Sequence, residues 1–461
     1  MLNAKQENIQ TLMAVLGIDE SQAVHRLDKR VAITHAPGGA AAALARDVVR
    51  LLERTVQVVD PELECDVELA VGSTPTTNAG LRLCLAAGDE MTILAEFDAG
   101  KERGSSGPVM PLPILTRKIV ACYAAGQVLG RTVDGLESYV CRGPFMLRYA
   151  HLGLPANDPV KPIFFEDTVL IGAGGIANGF LWALEGLPLT GRMVIVDYKK
   201  VRAGNLNRCL LFDQEDERKP KAQVLAGKFG TRDLAVTSHE GLFKDYLRTL
   251  PEGKVRRVIT TVDSRVARRG VQNKLPAEVL DASTTDISGI VVHSHRQPNS
   301  QACLSCIYGH IPAENQQRLH IVESLGLEMS DVRDWPVITP ELARKLANLH
   351  GLNEAVLMGM SLDTLFKAKC AEGTLVTPAG KQASAPFAFI TNLAGVMLAL
   401  ELLRFDLPQQ TGGNYLVLSP WRPPHAHLRT TRTRQEGCEF CSKPETHTVL
   451  RQVWPELFSG N

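Results

Sequence analysis

The sequence has no excess of charge of either sign, because 50 Lys and Arg residues balance 50 Asp and Glu residues. Proteins that bind nucleic acid or anionic membranes usually present a basic field that attracts phosphate. This chain lacks such a field, so we expect no nucleic-acid and no membrane partner, but a protein or small-molecule partner. With 461 residues, 44% of them hydrophobic and 22% charged, the composition is that of a soluble globular protein with two or three domains.

The chain also lacks signals that would direct it into or through a membrane. Its start, MLNAKQENIQTLMAV, carries Lys5 and Glu7 before any apolar run and has no small-residue cleavage pattern, which predicts a cytoplasmic protein. The longest apolar run, residues 385–400, is interrupted by two polar residues and is closed by Glu401. Its length favours a buried helix over a membrane span.

The most informative stretch is a short apolar run that passes into closely spaced glycines and a second apolar run, TVLIGAGGIANGFLWAL. Val169 to Ile171 predicts a strand, and Phe180 to Leu184 predicts a helix. Glycines permit a tight turn, and the N-terminus of the following helix offers free N–H groups to phosphate. A nucleotide site is therefore predicted. Its glycines are Gly172, Gly174, Gly175 and Gly179.

A second strand, Met193 to Val196, follows about twenty residues later and ends in Asp197. Dinucleotide-binding folds place here the carboxylate that holds ribose hydroxyls. The fingerprint alone is weak, since glycine turns without a ligand also occur. A dehydrogenase would continue with plain helix and strand, whereas this chain continues with the polar residues Asn205, Arg208 and Lys221.

Three short motifs occur together in this part of the chain. They are D-x-x-x-V-x-x-x-N-L-N-R from Asp197 to Arg208, K-P-K-A ending at Ala222, and T-T-V-D-S-R-x-A-R-R from Thr260 to Arg269. The combination resembles the adenylation domain of ubiquitin-activating enzymes and their thiamine- and molybdopterin-pathway relatives. The resemblance implies an α/β protein whose Rossmann-like adenylation domain occupies residues 146–461 and uses ATP and Mg²⁺.

The resemblance also implies a role for each polar residue of the nucleotide site. Asp197 would hold the ribose, Asn205 and Arg208 would contact ribose and phosphates, Lys221 would neutralise the transferred phosphoryl group, and Asp263 would bind Mg²⁺. Activation of a carboxylate with ATP needs such fixed cations and a metal, because pyrophosphate leaves as charge develops on the α-phosphate.

One position departs from the family pattern. Many relatives carry D-x-D at the end of the second strand, whereas here Lys199 follows Asp197 at the third position. Asp263 ends the predicted strand Val258 to Val262, where ligands gather in open parallel sheets. A further segment, DASTTDISGIVV at residues 281–292, matches the family segment along which the carboxyl tail of a substrate protein would pass.

Residues 1–145 lack the glycine fingerprint but alternate strand and helix patterns, which predicts a smaller α/β domain. The resemblance implies an inactive adenylation-like half, and an unrelated α/β domain that docks substrate or partner is the alternative. A buried helix is predicted at Lys118 to Leu129. The strands predicted here are Val31 to Thr34, Asp66 to Val71 and Met91 to Phe97.

Four of the ten cysteines form two C-x-x-C knuckles, a pattern that wraps one tetrahedral Zn²⁺. Disulfides are disfavoured in a cytosolic chain. A redox-active C-x-x-C pair would be expected beside a thioredoxin-like strand and helix, a pattern that this sequence lacks. With all four ligands used, the site should be structural rather than catalytic. The predicted zinc ligands are Cys303, Cys306, Cys438 and Cys441.

The two knuckles are about 130 residues apart, which is more than one strand and one helix need and predicts an insertion at residues 312–385. The insertion contains Cys370, flanked by Lys367 and Lys369, whose charge can lower a thiol pKa. We expect Cys370 to be the catalytic cysteine that attacks an acyl-adenylate. Cys209 is the second candidate, although its place beside Arg208 suggests packing.

The leading functional prediction is an ATP-dependent activating enzyme for the C-terminal glycine of a ubiquitin-like protein. A thioester and transfer to a ubiquitin-conjugating-enzyme-like protein would follow. Only twenty residues follow Cys441, so no ubiquitin-fold domain is expected there, and this compactness resembles bacterial activating enzymes, several of which serve antiviral defence. Such enzymes pair two adenylation folds, so a homodimer is possible, with Arg148 as the candidate to reach a paired site.

Two other functions remain open at this point. An adenylyltransferase for a sulfur-carrier protein in cofactor synthesis would use the same ATP site, but such relatives usually lack a long amino-terminal half and a large insertion. A nicotinamide-binding oxidoreductase or a non-catalytic nucleotide-binding scaffold would leave Arg208, Lys221, Asp263 and the zinc knuckles without a role.

Overall fold

The structure is a computed structural model of the whole chain. It describes residues 3–97, 107–154, 157–159, 161–285, 287–298, 300–309, 313–332, 338–358, 362, 365–366, 386–406 and 413–458.

The amino-terminal part forms a six-stranded sheet with strand order β2-β1-β3-β4-β5-β6. The first four strands in that order are parallel, and β5 and β6 are antiparallel to their neighbours. The predicted strands and helix are present, with somewhat different ends. The strands are β1 Arg30–His35, β2 Gln57–Val59, β3 Val67–Val71, β4 Leu81–Ala87, β5 Met91–Glu96 and β6 Phe145–Arg148.

The second sheet has eight strands in the order β14-β13-β12-β11-β10-β7-β8-β9. The five strands from β11 to β9 in that order are parallel, and β12, β13 and β14 extend the sheet in antiparallel fashion. The strands are β7 Ile163–Ile171, β8 Leu189–Val196, β9 Leu234–His239, β10 Arg257–Thr260, β11 Glu278–Thr285, β12 Gly289–Arg296, β13 Tyr415–Leu418 and β14 Arg429–Thr430. The α/β class with a Rossmann-like parallel sheet is confirmed.

Fifteen helices are described, in addition to short 3₁₀ turns at Ala203–Asn207, Gln214–Asp216, Met329–Val332 and Pro455–Phe458. They are α1 Ala4–Leu16, α2 Glu20–Leu27, α3 Gly39–Leu52, α4 Ile114–Thr132, α5 Tyr149–Leu152, α6 Gly175–Leu184, α7 Lys221–Phe229, α8 Phe243–Arg248, α9 Arg265–Gln272, α10 Leu304–Ile307, α11 Ala313–Ser324, α12 Pro340–His350, α13 Glu354–Leu357, α14 Ala388–Phe405 and α15 Pro444–Val453.

The two sheets share one hydrophobic core. Helices α4 and α6 pack with α14 in a cluster of buried residues drawn from both sheets. Lys118 of α4 donates a hydrogen bond to the carbonyl of Trp182 near the end of α6, where a cation complements the helix dipole. The amino-terminal part is therefore packed against the glycine-turn helix by apolar and polar contacts.

Helix α14 is the predicted buried helix. Among the described residues it is the one helix long and apolar enough to cross a membrane, and 89% of it is buried inside the protein. It lies directly against α6 through glycines. A Cβ atom added at Gly395 would come within 2.2 Å of the Phe180 backbone nitrogen, and one at Gly179 within 2.6 Å of the Cα atom of Asn392. Only glycine permits this backbone approach.

The inserted region has a core of its own where it is described. Apolar side chains from α11, α12 and the following residues form a hydrophobic cluster separate from the main core. It includes Leu325, Leu342, Leu346 and Phe366. The insertion is thus partly a small helical unit. Cys370, together with Lys367 and Lys369, lies outside the described residues, so its predicted role is not tested by the structure.

Candidate nucleotide site and metal site

The glycine turn lies at the C-terminal end of β7, between β8 and β10. Gly172 has a φ of +94°, a backbone conformation that favours glycine. A Cβ atom there would meet Oγ1 of Thr261 at 3.0 Å, whereas Gly174 faces open space. Gly175 begins α6, so its helix N-terminus opens beside the turn. This is the cradle that phosphate groups require.

Asp197 follows β8 and connects this strand to the glycine turn through hydrogen bonds of its carboxylate. Its Oδ2 atom accepts a hydrogen bond from the backbone N–H of Ala173 at 2.7 Å, and its Oδ1 atom accepts one from Lys199 at 2.6 Å. The residue is 9% exposed. Each oxygen of an ionised carboxylate has a second lone pair. Asp197 can therefore fix the turn and still accept a ribose hydroxyl.

Asn205 and Arg208 lie on and after the 3₁₀ turn Ala203–Asn207. The Oδ1 atom of Asn205 accepts a hydrogen bond from the backbone N–H of Arg202 at 3.1 Å, and the residue is 2% exposed. The carbonyl of Arg208 accepts a hydrogen bond from Nδ2 of Asn392 at 3.1 Å. Helix α14 thus anchors the backbone of this segment.

Lys221 is the first residue of α7 and is 6% exposed. Burial lowers the pKa of its amine to about 8, and the nearby Cys209 and Asp197 oppose that shift only in part. Burial also lowers the pKa of Arg202, with the charge of Arg208 contributing. Cations crowded together in this way are stabilised by an anionic ligand.

Lys199 and Arg202 are site residues that the sequence analysis did not predict as cations of the site. Both lie within five residues of Asp197, in the D-x-x-x-V-x-x-x-N-L-N-R motif. Their closeness to Asp197 in the sequence could have identified them as cations of the nucleotide site. Their charges act on Lys221 and Arg208. The site therefore contains four cations rather than two.

Asp263 follows β10, which ends at Thr260 and is shorter than predicted. Its Oδ2 atom lies 3.3 Å from Nζ of Lys199, and the Asp263 side chain is 59% exposed. The structure thus brings Asp263 to the same edge of the sheet as Asp197 and the glycine turn. An exposed carboxylate at this place fits one ligand of a Mg²⁺ ion, which needs only one or two protein carboxylates beside phosphates.

Other residues of the motif around Asp263 have structural roles. Nε of Arg268 lies 2.8 Å from Oδ1 of Asp281, and both side chains are almost fully buried. The hydroxyl of Tyr308 donates a hydrogen bond to the same carboxylate. This buried group connects α9 to the start of the segment predicted to guide a substrate tail. Breaking such a pair leaves an uncompensated buried charge.

Two further predictions are located by the structure. Cys209 is 1% exposed, and burial raises the pKa of its thiol, so this residue packs in the core and is not an available nucleophile. Arg148 is exposed at the end of β6, and its role in a paired site stays a prediction.

The four knuckle cysteines come together as predicted. The Sγ atoms of Cys303 and Cys306 are 3.8 Å apart, those of Cys303 and Cys438 also 3.8 Å, and those of Cys306 and Cys441 3.3 Å. Four sulfurs held about 2.3 Å from a central ion in a tetrahedron lie roughly 3.8 Å apart. The cluster therefore has the size of a four-thiolate metal site, and apolar residues including Trp454 pack around it.

Comparison with known proteins gives matches over both parts of the chain. Residues 154–440 match the model of the ThiF family, and residues 1–155 match that of the E1 N-terminal domain. The uncharacterized protein y4jF of Sinorhizobium fredii is 25% identical over 314 residues, which are 64% of this chain and 59% of that protein. The NEDD8-activating enzyme E1 catalytic subunit of Saccharomyces cerevisiae is 31% identical over 162 residues, which are 32% of this chain and 52% of that protein.

The chain thus spans less than two thirds of the length of these curated relatives. Among solved structures, the crystal structure of Escherichia coli MccB with ATP covers 78% of this chain and 97% of its own, with 12% sequence identity and a TM-score of 0.37. That similarity is too low to define a shared arrangement. The ThiF model covers well over half of the chain, and the chain belongs to the ThiF family.

Proposed function

We propose that this protein activates the C-terminal glycine of a ubiquitin-like protein by adenylation with ATP. The activated carrier then forms a thioester with Cys370 and passes to a ubiquitin-conjugating-enzyme-like protein. We place this activity in the cytoplasm, in a bacterial conjugation pathway of antiviral defence, as the resemblance of the motifs implies. The similarity to E1 catalytic subunits and the E1 N-terminal domain match support a protein carrier.

The observation that carries the proposal is the convergence of four cations on a glycine turn. Lys221 lies within electrostatic range of Lys199, Arg202 and Asp197, and Arg202 lies within range of Arg208 and Asp263. Asp197 and Asp263 offset part of this positive charge. The phosphates of a nucleotide would supply the further negative charge that the remaining cations favour.

The adenylation step uses these groups as follows. A carboxylate oxygen of the terminal glycine attacks the α-phosphorus and forms a new P–O bond. The P–O bond to the β-phosphate breaks, and pyrophosphate leaves with the electron pair. Negative charge increases on the leaving pyrophosphate while the α-phosphoryl group is transferred. Arg208 would supply positive charge to the phosphates, and Lys221 would neutralise the transferred phosphoryl group. The residue that would hold Mg²⁺ is Asp263, and the ion would neutralise phosphate oxygens and orient them.

Thioester formation is the second step. The thiolate of Cys370 attacks the acyl carbon, the C–S bond forms, and the C–O bond to AMP breaks. A thiolate is the better nucleophile at neutral pH than a hydroxyl. The sulfur-carrier alternative shares only the first step, so the thioester distinguishes the two functions.

The four-thiolate cluster would hold a structural Zn²⁺ in this proposal. Tetrahedral thiolate coordination is the arrangement typical of zinc, and a closed set of four ligands leaves no position for substrate. The ion would join the segment after β12 to the segment before α15.

Pyrophosphate exchange into ATP tests the proposal. The wild-type protein should incorporate labelled pyrophosphate into ATP when a ubiquitin-like protein encoded beside its gene is added, and not when that protein lacks its terminal glycine. Asp263→Ala should abolish exchange, whereas Asp233→Ala, at an exposed carboxylate away from the site, should not. Tight NAD binding without exchange would contradict the proposal.

A further inference from the structure

The amino-terminal helix reaches the nucleotide site through a chain of three hydrogen bonds. Nη1 of Arg208 donates to Oδ1 of Asn207 at 2.6 Å, and Nδ2 of Asn207 donates to Oδ1 of Asn8 at 3.1 Å. Nδ2 of Asn8 in turn donates to the carbonyl of Arg54 at 2.7 Å. We call Asn8, Asn207 and Arg208 the amide relay.

Both amides of the relay are buried. Asn8 is 2% exposed and Asn207 is fully buried. Each side-chain amide uses its carbonyl oxygen as an acceptor and its amino group as a donor. The hydrogen-bond partners on its two sides therefore determine how each amide is oriented. Because buried hydrogen bonds of this kind polarise one another, loss of one member weakens the rest.

Arg54, from the amino-terminal part, holds the same segment at two further points. Its guanidinium donates to the carbonyls of Leu206 at 3.1 Å and Leu210 at 3.3 Å, on either side of Arg208. The backbone around Arg208 is therefore bound to the amino-terminal part, and the side chain is bound through the relay.

From this geometry we infer that Asn8 is a positioning residue of the nucleotide site, which holds the Arg208 guanidinium toward the triphosphate. The inference rests on the proposed function and deepens it by assigning a role to the amino-terminal helix. An arginine side chain that is free to rotate loses conformational entropy when it binds phosphate, and a side chain held in advance does not.

The positive charges near Arg208 are a second reason why its guanidinium must be fixed in position. Burial lowers the pKa of Arg202, and the positive charge of nearby Arg208 adds to that effect, while Glu7 and Asp263 oppose it. Nη1 of Arg208 donates to the carbonyl of Gly204 at 3.4 Å and to Oδ1 of Asn207 at 2.6 Å, so the bond to Asn207 is the shorter hold on the guanidinium. Asn8 accepts from the Asn207 amide and so fixes which way that amide faces.

The test measures the affinity of the full-length protein for ATP with Mg²⁺ and for adenosine by titration calorimetry. Asn8→Ala should weaken ATP binding about tenfold and leave adenosine binding within about twofold, because only ATP carries the phosphates that Arg208 contacts. Asn8→Asp keeps an oxygen acceptor for Asn207 and should weaken ATP binding less than Asn8→Ala. Asn3→Ala, which removes the cap of the same helix, should leave ATP affinity unchanged.

A double-mutant cycle connects the effect to Arg208. Arg208→Ala alone should weaken ATP binding about tenfold or more, and Asn8→Ala added to it should cause no further loss. If Asn8→Ala does not fold, Asn8→Ser replaces it, because its hydroxyl is too short to reach Asn207.

Equal losses for ATP and adenosine, unchanged ATP affinity in the Asn8 variants, or an additional loss in the Arg208→Ala background would overturn the inference. Failure of the wild-type protein to bind ATP would instead refute the proposed function, and the inference with it.

Discussion

The Nζ atom of Lys199 lies 3.3 Å from Oδ2 of Asp263, so a lysine pairs with the carboxylate that is proposed to bind Mg²⁺. Lys199 stands at the sequence position where a D-x-D motif would have its second aspartate. A metal ion that binds Asp263 must therefore displace this cation or share the carboxylate with it.

We expect Lys199→Ala to lower the Mg²⁺ concentration that gives half-maximal pyrophosphate exchange. The reduction should be about threefold, the size expected for loss of a partly exposed ion pair. Lys200→Ala, at the exposed neighbouring position, should have no effect. An unchanged or higher requirement for Mg²⁺ in Lys199→Ala would show that the pair does not compete with the metal.

Lys221→Met should stabilise the protein without ligand and prevent nucleotide activation. The amine is buried, and its pKa is about 8 in the folded protein against 10.5 ordinarily. The unfolded chain therefore binds more protons between about pH 8 and 10.5, and stability rises with pH across that window. At pH 7 the substitution should add roughly 3 kcal/mol to the free energy of unfolding, because each unit of pKa difference corresponds to about 1.36 kcal/mol.

This gain should decrease above pH 8 and vanish near pH 10.5, which denaturant titrations at several pH values would measure. Lys228→Met on the same helix provides the control. Lys228 is paired with Asp213 and Asp216 at 2.6 and 2.5 Å, so its replacement should reduce stability. A gain for Lys221→Met that does not change with pH would show that packing, not charge burial, causes it.

Removal of one knuckle thiolate should lower the folding stability of the protein before it affects the adenylation reaction. We expect one zinc ion per chain by metal analysis, and Cys438→Ser should lose it and unfold with a free energy lower by about 3 kcal/mol or more. Cys65→Ser, at a cysteine outside the cluster, should keep both metal and stability. Protein free of zinc, with an equally stable Cys438→Ser variant, would refute the assignment.

Gly395→Ala should be strongly destabilising because its methyl group would collide with the backbone of α6 at Phe180 and Gly179. We expect a loss of about 3 kcal/mol, the range of overpacked cores. Gly227→Ala is the matched control on α7, since no atom lies within 4 Å of its added Cβ, and it should stabilise the helix slightly. Thermal unfolding of both variants makes the comparison, and equal effects would contradict the close approach of α6 and α14.

Cys370→Ala should separate thioester formation from adenylation. Wild-type protein mixed with ATP and the ubiquitin-like carrier should form an adduct that dithiothreitol removes on a non-reducing gel. The adduct should vanish in Cys370→Ala while pyrophosphate exchange survives. Cys209→Ala, at the buried thiol, should keep the adduct.

An adduct that persists in Cys370→Ala would move the role to another cysteine. Exchange without an adduct in any variant would favour the sulfur-carrier function, so the gel and the exchange assay together distinguish the two pathways.

Sequence patterns predicted the parts of the site that depend on neighbouring residues. The glycine turn at Gly172 needs a positive φ, and its glycine is visible in the chain itself. The C-x-x-C spacing places two thiols close enough together to serve as ligands of one metal ion. Asp197 and Asp263 were predictable because the C-terminal ends of parallel strands meet at one edge of a sheet.

Contacts between distant residues were not predictable in this way. The Lys199 side chain could have faced solvent, and only the relative position of β8 and β10 directs it to Asp263. The antiparallel strands β12, β13 and β14 were also missed. β13 and β14 have four and two residues and carry little pattern of their own, whereas the eight-residue β12 is a strand because it pairs with β11 and β13. The core of the inserted region depends on helices whose apolar residues meet only after folding.

The sequence by itself determined the family, the parallel sheet around the glycine turn and the two cysteine knuckles, because each follows from local backbone geometry or fixed spacing. The tertiary structure decided which charges share the site and which elements hold them. Asn8 and Asn207 are 199 residues apart, and Gly395 approaches α6 from a helix far along the chain. Such contacts form only when the chain folds and a long loop is closed at a cost in conformational entropy. No local sequence pattern indicates which distant residues will be in contact.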